Sequence, residues 1–190
     1  MGQANRGRAG FVGENQRVRR IAAAELRARR QELAALLADA VDDGASVGFV
    51  LPHALAEYER HWDDVAAAVE AGRSEVLVAD LGGRIAGTVQ LTPCLRPNGR
   101  HRAEVQKLLV LRAARRAGLG MALMHEVEAL AASRGHRLLL LDTRADSAAE
   151  HLYRRLGWHA FGTVPDYACD PDGTLAGCTF FYKRCGEAAA

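Results

Sequence analysis

The spacing of apolar residues along the chain changes period, and each change predicts a different kind of element. Over residues 25–41, Leu26, Leu33, Leu36, Leu37, Ala40 and Val41 keep helical spacing, and Gly44 stops the run. A second amphipathic helix is predicted over 54–70, with Leu55, Tyr58, Trp62, Val65 and Val69 on one stripe. Pro52 precedes it and Gly72 follows it. The period then shortens. EVLVAD (75–80) and RIAGTVQL (84–91), joined through Leu-Gly-Gly, read as a hairpin. Pro93 and Pro97 interrupt the chain, and RAEVQKLLVL (102–111) follows the Asn98-Gly99 turn as a third strand. A long helix over 118–134, an apolar strand RLLLLD (137–142), a short helix over 147–156 and strands near 158–164 and 178–184 complete the order. Weak alternation in RVRRIA (17–22) adds an edge strand. Consecutive strands followed by helix, strand, helix and strand predict an α/β fold, a mixed sheet with helices on both faces. The strand at 137–142 is apolar on both sides, which places it at the centre.

Composition narrows the function. The chain has 190 residues and a net charge of +2, ordinary for one globular domain. No nucleic acid and no membrane partner is expected. Eight arginines in the first thirty residues, against Glu14 and Glu25, could form an RNA-contacting arm. Because no aromatic residue interleaves with residues 17–30 to stack on bases, a solvated tail and the polar face of a first strand and helix account for them better. Residues 1–16 are expected to be a disordered tail and 17–185 one domain. Cys94, Cys169, Cys178 and Cys185 form no CxxC pair and lack histidines at ligand spacing, so no metal is expected. With no secretory signal or membrane-length apolar run, a cytoplasmic protein is expected.

The segment LLVLRAARRAGLG (108–120) carries the strongest chemical signal. A strand ends near Leu111, an Arg-rich loop follows, and Gly118-Leu119-Gly120 opens a helix. Unpaired N–H groups at a helix start attract anions, glycines let a phosphate approach, and Arg115 and Arg116 add charge. A diphosphate suits this place. No Lys-Ser or Lys-Thr pair follows the glycines, so this is not a Walker A loop. A dinucleotide fold is the rival, with Asp142 lying 22 residues beyond Gly120 as a ribose-binding acid. Against it, Leu123 holds the third glycine position, and six residues separate Leu111 from the first glycine.

Arg115-Arg116-Ala117-Gly118-Leu119-Gly120 resembles the (Gln/Arg)-x-x-Gly-x-(Gly/Ala) motif of the GNAT superfamily of N-acetyltransferases, preceded here by Leu108-Leu109-Val110. Downstream, the segment from Asp146 through Leu152-Tyr153 to Gly157-Trp158 resembles that superfamily's Asn-x-x-Ala-x-x-Leu-Tyr-x-x-x-Gly-Phe segment. Asp146 replaces the usual Asn, which puts its pantetheine contact in question. The resemblance implies a largely antiparallel central sheet of six to seven strands and acetyl-CoA as acyl-donor cosubstrate. It implies that main-chain N–H groups of Arg115, Arg116, Ala117, Gly118, Leu119, Gly120 and Met121 hold the pyrophosphate. The backbone of Leu109, Val110 and Leu111 would pair with the pantetheine arm as an added strand. GASVGF, GTVQL, HRAEVQKLLV, LDT and PDYACDPDG leading to TFFYK resemble the branch containing tabtoxin-resistance acetyltransferases, which implies a small-molecule amine acceptor, amino-acid-like or an antibiotic or toxin.

Acyl transfer requires a neutral amine, and a primary amine with a lysine-like pKa of about 10.4 is mostly protonated at pH 7. On the resemblance, Tyr153 faces the coenzyme sulfur and is the candidate general acid; a core tyrosine bonded to a backbone carbonyl is the alternative. Glu104 and Asp142 compete as base, Asp142 favoured as an acid closing a buried strand. Either could instead be structural. His101 is a weaker candidate. The acceptor would enter beside the two N-terminal helices and the 165–172 loop, where Tyr58, Trp62, Asp166 and Tyr167 are conceivable contacts, with core packing the better reading of Tyr58 and Trp62. Acetylation of a protein N-terminus or lysine, or a non-catalytic coenzyme-A-binding module, are the alternatives. Sheet edges in this architecture often pair, so a homodimer is a candidate assembly.

Overall fold

A computed structural model of the chain describes residues 16–185. One seven-stranded sheet runs through it in the order β1-β2-β3-β4-β5-β7-β6. Its strands are β1 (Gln16–Arg20), β2 (Glu75–Leu81), β3 (Arg84–Pro93), β4 (Arg102–Val110), β5 (Leu138–Arg144), β6 (His159–Cys169) and β7 (Leu175–Arg184). Every neighbouring pair is antiparallel except β4 with β5. The expected α/β, largely antiparallel fold is therefore present, with β1 on one edge and β5 inside.

Alternation along the strands feeds two cores. Val76, Val78 and Ile85 face α1 (Ala23–Ala28), α2 (Arg30–Asp42) and α3 (Leu55–Glu70), where Leu26, Leu33, Leu37, Tyr58 and Trp62 are fully buried. Tyr58 and Trp62 are core, as the stripe implied. Leu77, Ala79, Val89, Leu91, Val105, Leu139 and Leu141 face the other way. They pack with Leu123, Met124 and Val127 of α4 (Leu119–Ser133) and with Tyr153 of α5 (Ala148–Arg155).

Three differences from the sequence pattern have physical causes. The helix expected over 25–41 is two helices, because Arg29 leaves helical geometry with ψ 16°. Its guanidinium reaches Asp80 at 3.0 Å, Glu32 at 2.7 Å and the Gly83 carbonyl at 3.1 Å. The last two strands are longer than their apolar runs, since their pairing continues to Cys169↔Leu175 across a bulge. Residues 165–169 therefore belong to β6, where a loop was expected. Finally, Gln16 belongs to β1, and the rest of the expected tail lies outside the described residues.

Helix α5, which carries Tyr153, is fixed at its start by a buried carboxylate. Ser147 Oγ caps the helix by accepting from Glu150 N at 3.1 Å. Glu150 in turn accepts from Asp146 N at 2.8 Å, from Arg154 at 2.6 Å and from Thr179 Oγ1 at 3.3 Å. Burial works against the ionised form of Glu150, but these donors outweigh it and hold its carboxyl below the usual range. A depressed folded pKa means the stabilisation is present above the unfolded value of about 4.3 and is lost as pH falls from there through the folded value. Glu150→Gln should cost about 1–3 kcal/mol at pH 7. Urea unfolding at pH 7 and in acid should show the variant losing less on acidification than the wild type.

Candidate active site

Strands β4 and β5 pair over three residues only, Arg102↔Leu138, Ala103↔Leu139 and Glu104↔Leu140, and then part. Beyond them β4 keeps its partner on the other side as far as Val110↔Gly87, while β5 stays with β7 to Arg144↔Cys178. The facing edges of β4 from residue 105 and of β5 from residue 141 are left without a strand between them. Such a wedge exposes main-chain donors and acceptors that an extended chain can join. Leu109, Val110 and Leu111 lie along it, with Leu111 N turned back to Ala86 O at 2.9 Å.

At the wide end of the wedge the chain makes a short helical turn over Arg112–Ala114 and reaches Gly118. Gly118 is left-handed, with φ +81°, and α4 starts directly after it with no side-chain cap. The first-turn N–H groups of α4, through Met121, are thus free to meet an anion. Leu119 is buried and anchors the turn, and Gly120 lets α4 lie close to Leu152 of α5: a Cβ there would sit 3.4 Å from Leu152 Cδ2. Ala117 and Arg116 are exposed, Arg116 with φ +65°. The Arg115 guanidinium pairs with Asp43 and donates to Val110 O at 3.2 Å. Its charge is therefore shared with a carboxylate. Arg112, which the motif did not single out, makes the parallel pair with Asp39 at 2.8 Å.

The chemical residues surround the narrow end. Tyr153 is buried, and its hydroxyl has no hydrogen-bond partner among the described residues, which removes the carbonyl-satisfied alternative. Burial first, and then the charge of Asp142, push its pKa above the ordinary phenol value, so it stays protonated. Asp142 sits two residues past the last β4–β5 pair. The reason for favouring it needs correction: the strand is not buried at that point, and Asp142 is exposed. The Cys178 thiol lies beside it, its Sγ 3.2 Å from Asp142 Oδ2 and 3.1 Å from the Thr143 carbonyl oxygen. Burial and the Asp142 contact push the Cys178 pKa up to about 12, so the thiol remains a donor.

Glu104 occupies the last paired position of β4, half-buried and without a hydrogen-bond or ion-pair partner among the described residues. Asp146 is exposed in a left-handed turn, φ +59°, a geometry that Asn and Asp both tolerate. His101 precedes β4 at the opposite end from the wedge, where its carbonyl accepts from Arg137 N at 2.7 Å, so it is no base for this site. Asp166 and Tyr167 are exposed on β6. Sequence reasoning missed Lys107, Cys178 and His61, because isolated residues inside strands or helices carry no motif. A left-handed residue within β4, φ +50° at Lys107, marks a bulge that no sequence pattern announces.

Among the described residues no cluster of three or more His, Cys, Asp or Glu is placed to hold a metal ion. No described helix is long and apolar enough to cross a membrane.

A strand wedge open to an extended chain, leading to an uncapped helix start open to an anion, is the arrangement that the resemblance to coenzyme-A-dependent acyltransferases implied. Residues 39–158 match the profile of the Acetyltransferase (GNAT) family, and the chain belongs to that family. The ribosomal-protein-alanine N-acetyltransferase of Brucella melitensis is similar to it at 26% identity and a TM-score of 0.71, over 88% of this chain and 98% of its own. A Salmonella typhimurium protein assigned as an acetyltransferase, solved with its cofactor acetyl-CoA, shares the fold at 19% identity and a TM-score of 0.74, over 93% and 98%. A GNAT-family acetyltransferase from Streptococcus pneumoniae shares it at 23% and 0.71, over 89% and 99%. The protein is an acetyl-CoA-dependent N-acetyltransferase.

Gly118→Ala forces an L-residue into the left-handed region and should cost about 1–2 kcal/mol. It should also weaken acetyl-CoA binding, both effects read from thermal melts with and without the ligand.

Proposed function

We propose that the enzyme acetylates the primary amine of a small molecule, amino-acid-like or an antibiotic or toxin, by direct attack on the thioester. The observation that carries this reading is the tethering of the acceptor side. Leu51 N donates to Pro171 O at 2.7 Å and Ser46 Oγ to Cys169 O at 2.9 Å. The loop between α2 and α3 is thereby bound to the β6–β7 hairpin, a tethered rim that suits a small acceptor better than a peptide chain. Branch membership alongside tabtoxin-resistance enzymes and a cytoplasmic location belong to the same reading, with 17–185 as one catalytic domain.

In this mechanism the pyrophosphate rests on the α4 start and the pantetheine lies along Leu109–Leu111, with Asp146 flanking it. Asp142, directly or through a water, takes the proton that the attacking nitrogen sheds; Glu104, at the closed end of the wedge, is the alternative acceptor. Tyr153 returns a proton to the sulfur as the C–S bond breaks and the C–N bond forms. The free Tyr153 hydroxyl also argues against a non-catalytic coenzyme-binding module. Tyr153→Phe should lower kcat by about 10²-fold or more with acetyl-CoA binding retained. Of Asp142→Asn and Glu104→Gln, the one that lowers kcat and erases the acidic limb of the pH–rate profile identifies the base. If all three variants keep wild-type turnover, the proposed chemistry is wrong.

The second reading, acetylation of a protein N-terminus, is favoured by the 26% identity to the Brucella melitensis enzyme. Thiol release with a panel of small amines, against a peptide beginning with alanine, separates the two.

The reading includes a homodimer. Strand β6 is an edge, exposed from residue 159 to 167, and turns Phe161 (60% exposed), Val164 (45%) and Tyr167 (53%) to solvent. An unpaired, apolar strand edge is suited to antiparallel pairing with its own copy across a two-fold axis. Sedimentation should show a dimer that Val164→Asp converts to monomer.

A further inference from the structure

Lys107 is a cation held inside the wedge with no carboxylate paired to it. It lies in the stretch of β4 that has left β5, and the bulge at its own position turns its side chain under the loop between α2 and α3. There its Nζ donates to Val47 O at 2.5 Å, and a Cβ on Gly48 would lie 3.6 Å from Nζ. An ammonium has three donors, so two remain after Val47. Among the described residues it forms no ion pair. Burial disfavours its charge, and the nearby Asp142 supports it.

On this side the Asp64 carboxylate acts on His61, but among the described residues no carboxylate pairs with Lys107. His61 of α3 lies close enough to feel the Lys107 charge. Burial first, and then Lys107, lower its pKa, so at neutral pH it is uncharged. Its Nε2 is buried and has no hydrogen-bond partner among the described residues. A desolvated ammonium facing a neutral imidazole is costly unless an anion joins it. Asp142 stands on the opposite strand, across the gap where the reacting nitrogen must sit.

We propose that Lys107 holds the carboxylate of an α-amino acid or a close analogue, whose α-amine then lies towards Asp142. This rests on the small-amine reading above and deepens it. In such a molecule the anionic and amine groups flank one carbon, which is the complement of a cation and a proton acceptor facing each other across a narrow gap. The carboxylate satisfies the two spare ammonium donors. A plain amine leaves the half-buried ammonium without its counter-charge. Sites built around a polar partner reject analogues that lack it far more strongly than apolar pockets reject a missing methylene.

The test uses matched pairs with acetyl-CoA, read by thiol release: phenylalanine against phenethylamine, and leucine against isoamylamine. The wild type should prefer the amino acid in kcat/KM by on the order of 100-fold or more. In Lys107→Met that preference should fall below about tenfold, with KM carrying the loss, and Lys107→Arg should restore part of it. A thermal shift with acetyl-CoA confirms that each variant is folded. Equal wild-type rates on both members of a pair overturn the Lys107 assignment and leave the small-amine reading standing. Acetylation of neither member of any pair, with acetylation of a peptide beginning with alanine, overturns both.

Discussion

The early parting of β4 and β5 is the constraint on which the rest of the structure depends. Each strand is committed on its far side, β4 to β3 as far as Val110 and β5 to β7 as far as Arg144, so neither can close the gap. The bulge at Lys107 bends β4 away from its neighbour. Parallel neighbours with unpaired facing edges leave main-chain groups that must find partners elsewhere. That requirement is what turns a fault in a sheet into an edge that an extended chain can join.

The two cores hold the walls of the wedge apart. Before the bulge, Val105 packs towards α4; after it, Leu109 packs towards α1, α2 and α3. The single strand β4 therefore contributes to both layers, and a change in either core would move the coenzyme edge. Glu150 performs the matching task on the far wall. By binding Asp146 N, Arg154 and Thr179 it ties the start of α5 to β7, and so sets where Tyr153 stands relative to Asp142.

The acceptor side is made from parts far apart in the chain. Ser46 and Leu51 reach Cys169 and Pro171, and Lys107 reaches Val47. These contacts join the helical first third of the protein to the final hairpin across the opening of the wedge. On the proposed reading, coenzyme binding depends mainly on backbone conformation around one turn, whereas acceptor recognition depends on side chains and loops brought together by folding. The two halves of the site are thus free to change separately.

The sequence alone determined most of the elements and the glycine-led start of α4, because both are local. Period-two and period-3.6 patterns follow from backbone geometry within a few residues, and Gly118 beside a helix start is a chemical statement readable in place. Tyr153 was legible through its motif, and the tertiary structure then showed its hydroxyl unpartnered. What the sequence could not show was set by contacts at long range. The break at Arg29 depends on Asp80, the exposure of Asp142 depends on where β4 leaves β5, and Lys107 is a half-buried cation only because a bulge turns it beneath a distant loop. A run such as RLLLLD records how apolar a strand is, but only the packed sheet decides at which residue water reaches it.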